Sequence, residues 1–145
     1  MMRKLDQRGV AALEFCIVAV PFFMLMFAIF DFGRYTITMQ SLRALANAGA
    51  RATMVGTPGS ACYTDAAIAQ TTPTCSGDPL PSDAAKKAVA PFLYSGGLTP
   101  TLSATTGATA LTVTASEPGF TMIMPIWGTA LNAPSASTSI PFCGS

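Results

Sequence analysis

The sequence predicts an α+β chain, with one long N-terminal transmembrane helix that continues outward and a small antiparallel sheet of about three strands packed on the continuation. Three observations predict it. Half of the 145 residues are apolar and only 10% are charged, and the apolar excess gathers in Gly9–Phe30, where Glu14 is the one charged side chain. From Phe30 to Thr53 nothing stronger than single glycines interrupts the chain, so a helix can run on. Beyond Gly56 short runs alternate apolar and polar residues between glycine- and proline-rich turns, as half-buried strands do.

The expected organisation has four parts: a basic leader over 1–9, a transmembrane helix over 10–30, its extramembrane continuation over 31–55, and a small disulfide-braced α+β domain over 56–145. Val10–Phe30 reads VAALEFCIVAVPFFMLMFAIF. At about 1.5 Å per residue it spans roughly 30 Å, one hydrocarbon core. Arg3, Lys4 and Arg8 precede it against one acid, Asp6, while Asp31 and Arg34 follow. This excess of basic charge predicts a cytoplasmic N-terminus and Asp31–Ser145 on the outer side. A cleavable secretory signal is the nearest rival. It would carry a shorter apolar core and a prompt small-residue cleavage site; here Phe27, Phe30 and Phe32 follow, and the first small cluster is Ala44–Ala50. A buried core helix is the other rival, but a small soluble domain has no place for a helix apolar on every side.

Composition also weighs on chemistry. The chain has no histidine, which removes the commonest general base and metal ligand at neutral pH. No spacing couples a serine or threonine nucleophile to a base, since only Lys86 or Lys87 could serve and both read as solvated. Without a Cys-x-x-Cys pair or histidine a metal site is not expected either. The net charge of +1 implies no nucleic-acid partner. Neither an enzyme, a cofactor nor a small-molecule substrate is expected.

Glu14 is the anomaly of the apolar stretch. A carboxylate costs about 2.5–3.5 kcal/mol at a bilayer centre and less near its edge. One reading is an interfacial acid that snorkels. The other is pairing with a positive charge at the same depth, which a cut after Gly9 would create as a new α-amino group on Val10. Basic residues, Gly9, then Val10-Ala11-Ala12-Leu13-Glu14-Phe15 and an apolar run resemble the type IV prepilin signal. In that signal a dedicated peptidase cuts after the glycine and glutamate becomes the fifth mature residue.

Asp31, Gly33 and Arg34, followed by the alanine-rich run Leu42–Ala52 with Gly49, Ala50 and Arg51, resemble the TadE-like family. These are pilin-like proteins of the tight-adherence (Tad/Flp) pilus and secretion system. The resemblance is strong over about Arg8–Val55. It implies a pseudopilin cleaved at the Gly9–Val10 junction, with Glu14 and Phe15 serving processing or subunit register. Implied partners are the membrane, a prepilin peptidase, other Tad pilins or pseudopilins and assembly-platform proteins. The implied location is the inner (plasma) membrane, single-pass, with the C-terminal domain periplasmic or extracellular and the chain pilus-associated. Phe15 stands where Tad pilins often have tyrosine. The long segment after the helix departs from the very short major pilins and favours a minor subunit. The alternative is an uncleaved bitopic anchor of a periplasmic or surface interaction domain.

Further along, Pro21 predicts a bend of the membrane helix around Ile17–Pro21. Tyr35, Met39, Leu42, Leu45, Ala46, Gly49 and Ala52 share a face at helical spacing, which predicts burial against the chain's own C-terminal domain, with a neighbouring subunit as the alternative. Gly56-Thr57-Pro58-Gly59 stops the helix near Val55. Ser60–Pro81 reads as loop, and a Cys62–Cys75 disulfide is the first choice for an oxidising compartment, with Cys143 pairing to either cysteine or to a partner as alternatives. Ser82 or Asp83 can cap a short helix through about Leu93, with Lys86 and Lys87 on its exposed side. Thr99–Thr105, Leu111–Ala115 and Ser135–Phe142 read as strands, the first two joined at Thr106-Gly107-Ala108. Pro141 belongs at an edge or strand end. The apolar segment Gly119–Gly128 either closes the core of the sheet or offers Trp127 and its methionines to a partner.

Overall fold

A computed structural model of the chain describes residues 7–56 and 61–142. Its spine is α1 (Gln7–Val55), a helix of 49 residues that runs without interruption through Pro21. The first half of α1 is bare: the apolar window of its candidate membrane span is 0% buried. Such a stretch is not the core of a globular domain, which removes the buried-helix rival. The second half is packed. Leu42, Leu45 and Ala46 are fully buried, with Thr38, Ala50 and Thr53 beside them. The face read from the sequence therefore does cover the chain's own domain, although Tyr35, Met39 and Ala52 are only partly buried at its margins.

The sheet has four strands in the order β1-β2-β3-β4, with every neighbouring pair antiparallel: β1 (Ser76–Gly77), β2 (Thr101–Thr106), β3 (Ala110–Ser116) and β4 (Ser135–Pro141). Successive side chains of a strand point to opposite faces. Leu102 and Ala104 of β2, Leu111, Val113 and Ala115 of β3 and Ala136 of β4 accordingly turn one apolar face onto α1. Register follows that face, with Ala104 opposite Val113 and Ala115 opposite Ala136. The helix lies close because position 49 has no side chain. A Cβ on Gly49 would meet Leu102 Cδ2 and Val113 Cγ1 at 3.0 Å and Pro79 Cγ at 3.2 Å. At the margin of the contact the Thr138 hydroxyl and the Asn47 amide oxygen hydrogen-bond at 2.7 Å.

Four features differ from the sequence reading. The sheet gains a strand, because Ser76–Gly77 pairs with Thr105 and Ala104. The Thr106 hydroxyl fixes that edge, accepting from the Cys75 N–H at 2.8 Å and donating to the Cys75 carbonyl at 3.0 Å. The stretch read as loop also holds a helix, α2 (Cys62–Ile68). Tertiary bonds hold this short element down. Thr64 donates to the Met54 carbonyl and Tyr63 to the Pro141 carbonyl. The helix read through Leu93 is two pieces, α3 (Asp83–Val89) and a 3₁₀ segment Pro91–Gly97. Pro91 lacks the N–H that a continuing helix would use and so starts the second piece. Ser82 occupies the N-cap position without a side-chain cap bond.

Lys86 is the fourth difference. It is buried, 6% exposed, whereas Lys87 is exposed as read. Its ammonium pairs with Asp78 and, at 3.8 Å, with Asp83. Burial lowers its pKa, but the Asp78 carboxylate at hydrogen-bond range, together with Tyr94 and Asp83, holds the ammonium above its usual value. Cys62 and Cys75 are joined, with Cα atoms 5.6 Å apart. Thr57-Pro58-Gly59, the residues before Gln7 and the alternative pairings of Cys143 lie outside the described residues.

Glu117 is fully buried. It continues the inward alternation of Leu111, Val113 and Ala115, one step past the end of β3. Burial raises its pKa above the usual glutamate value, and the backbone groups of Gly119 and Thr99 pull it down only in part. The folded chain thus holds this proton more tightly than the unfolded one. Its contribution to stability is greatest below the ordinary glutamate range and is lost as pH rises through the raised folded value. Glu117→Gln is expected to stabilise the domain at pH 7 by about 1–3 kcal/mol, the scale of a buried unsatisfied polar group. The advantage should vanish in acid. Denaturant midpoints of both proteins between pH 3 and pH 8 (roughly the span in which carboxyls titrate) test it, and parallel profiles would refute it.

Candidate functional site

The residues singled out in the sequence fall into three groups along α1. Gly9, Val10, Glu14 and Phe15 occupy its first turns and are all exposed. Val10 is 54% and Phe15 70% accessible. Glu14 has no ion pair among the described residues, so nothing in the described chain explains a carboxylate there. A turn of helix separates Val10 from Glu14, which places the two on one side of α1.

The second group is Asp31, Gly33 and Arg34. Asp31 is 3% exposed although it stands on the solvent-accessible half of the helix. What buries it is the loop between β3 and β4. Its Oδ2 accepts the backbone N–H groups of Ile123 at 3.0 Å and Met124 at 2.9 Å, and its Oδ1 takes Arg34 at 3.4 Å. Arg34 in turn lies 5.4 Å over the Phe120 ring, which also approaches Tyr35. One carboxylate thereby clamps a loop some ninety positions later in the chain to the middle of the helix. Hydrogen bonds to a charged acceptor are about twice as strong as neutral ones. Gly33 has open space above it.

The third group is Gly49, Ala50 and Arg51. Gly49 and Ala50 lie in the helix–sheet contact, and the Ala50 carbonyl accepts the Thr53 hydroxyl at 2.7 Å. Arg51 is exposed. The structure thus brings Asp31 to Arg34 and Gly49 to the sheet, and leaves the three groups apart from one another. The apolar segment Gly119–Gly128 answers to both readings at once. Phe120 is buried at 2%, whereas Ile123 and Ile126 are 74% and 57% exposed. Sequence reasoning missed the Asp31 clamp, since nothing in the spacing links residue 31 to residues 123 and 124. Among the described residues no group of three or more acidic or cysteine side chains could hold a metal ion.

A helix bare over its first half and sheathed by a small sheet over its second defines an α+β protein with one candidate membrane span near its N-terminus. The family comparison concerns the same helix. Residues 9–51 match the model of the TadE-like protein family, and the resemblance read from the sequence is borne out over that segment. The match covers the helix that is long and apolar enough to cross a membrane. No curated protein and no solved structure matches the chain. Residues 52–145, the end of α1 and the sheet domain, lie outside the family match.

Proposed function

We propose that this chain is a minor pilin-like subunit, a pseudopilin, for assembly of a Tad-type pilus or secretion system. A prepilin peptidase removes the leader after Gly9. The N-terminus faces the cytoplasm and the sheet domain stands on the periplasmic or extracellular side. The work is helix packing rather than catalysis, and the partners are other Tad pilins or pseudopilins and assembly-platform proteins. The observation that carries the reading is the unpartnered half of α1. A continuous apolar rod holding one carboxylate, Glu14, projects from a domain that buries none of its apolar window. Cleavage would place the Val10 α-amino group within reach of Glu14 of the same or a neighbouring chain, and charge neutralisation there would lower the cost of a carboxylate in lipid.

The test is the intact mass of membrane-extracted protein expressed with and without a prepilin peptidase, for the natural chain and for Glu14→Gln. A peptidase-dependent chain starting at Val10 is expected, with pilus formation lost in the variant. A chain that keeps Met1–Gly9 in both hosts, with Glu14 dispensable, would instead establish the uncleaved anchor.

A further inference from the structure

We propose that the loop Thr121–Trp127 is a second membrane contact of this protein, inserting Ile123, Met124 and Ile126 into the outer edge of the same bilayer that α1 spans. The inference rests on the reading of Val10–Phe30 as the span.

Depth is the first argument. If the hydrocarbon ends near Phe30, Asp31 marks its boundary, and the loop is bonded to that residue through the Ile123 and Met124 amides. Ile123 and Ile126 therefore stand at the level of the boundary, and they are the loop's most exposed large side chains. Phe27 lies about 6 Å deeper along the helix.

Continuity is the second. Ile123 and Met124 line an apolar cleft of about 300 Å3 together with Phe27, Phe30, Asp31 and Arg34. The ring of Trp127 lies 6.1 Å from that of Phe32, itself half exposed. The surface of the loop thus extends the apolar surface of the helix, with the paired Asp31 and Arg34 between them. Charge is the third. No acidic or basic residue occurs between Glu117 and Cys143, so the loop itself brings no charge into the bilayer, and the neighbouring Arg34 is paired with Asp31. Asp31 is already satisfied by two N–H groups and Arg34, which removes the usual objection to a carboxylate at that depth. Aromatic rings at the interface and exposed isoleucines below it are what lipid favours.

The fluorescence of Trp127, the single tryptophan of the chain, reads the contact directly. The full chain is reconstituted in vesicles of phosphatidylcholine and phosphatidylglycerol whose acyl chains are brominated either near the headgroup or near the terminal methyl. Quenching of Trp127 by the shallow bromines is expected, stronger than by the deep ones. Ile123→Asp with Ile126→Asp should reduce it at least twofold, and because both side chains are exposed the domain stays folded. Leu25→Trp in a Trp127→Phe background reports the span separately. If Leu25→Trp is quenched while Trp127 is not, the loop contact is overturned and the span stands. If neither is quenched, both readings fall. Trp127 shielded from aqueous acrylamide yet untouched by bromolipid would mean that protein covers the loop, a second copy included, and would also overturn the proposal.

Discussion

Replacing Asp31 with alanine is expected to lower the stability of the sheet domain by about 2–4 kcal/mol, the combined loss of charge-assisted hydrogen bonds and the cost of stranding two backbone donors. The two donors belong to Ile123 and Met124, and both bond to the same Asp31 Oδ2. Arg34 loses its carboxylate in the same step. Asp31→Asn keeps one acceptor oxygen and is expected to cost less than half as much. Denaturant unfolding of the detergent-solubilised chain gives the totals, and amide exchange at positions 123 and 124 shows where the loss falls. Exchange unchanged at those two amides would mean that the clamp does not hold the loop in solution.

Removing the disulfide is expected to cost about 3 kcal/mol, from the entropy returned to the unfolded chain by opening a loop of this size. The variant is Cys62→Ser with Cys75→Ser, so that no lone thiol remains of the pair. The structure says which part should feel it first. β1 has only two residues, and it is held by the bridge and by Thr106. The amides of Ser76 and Gly77 should therefore exchange faster than those of β2, β3 and β4. A midpoint unchanged after the double substitution would show that α2 and β1 are secured by their hydrogen bonds alone.

The parts of this molecule legible in the sequence are those set by local rules. Helical spacing placed Leu42, Leu45 and Ala46 on the buried face, and period-two alternation placed Leu111, Val113 and Ala115 on another. The expectation of an oxidising compartment made Cys62 and Cys75 the first choice of pair, and they are joined. What escaped depends on residues far apart in the chain. α2 is only seven residues long and exists because Thr64 and Tyr63 reach Met54 and Pro141. Lys86 looked solvated because the acid that draws it inward, Asp78, lies before the helix rather than on it. Asp31 read as a boundary marker, and its service to a distant loop leaves no trace in spacing. Glu117 was accessible to sequence reasoning in principle, since the alternation of β3 carried one step further points it inward.

The continuity of α1 has a rotational consequence. From Asp31 to Thr53 the helix is held against the sheet and its loop, so its angular setting about its own axis is fixed there. Each residue of a helix turns by about 100°, and the rod has no break between Glu14 and Asp31. The compass bearing of Glu14 relative to the domain is therefore determined by nothing but the number of residues between them. One alanine inserted after Ala19 would leave every contact of the domain intact and swing Glu14 by about 100°. A neighbour that must meet Glu14 and the sheet domain together would then find the key cut on the wrong side of the shaft.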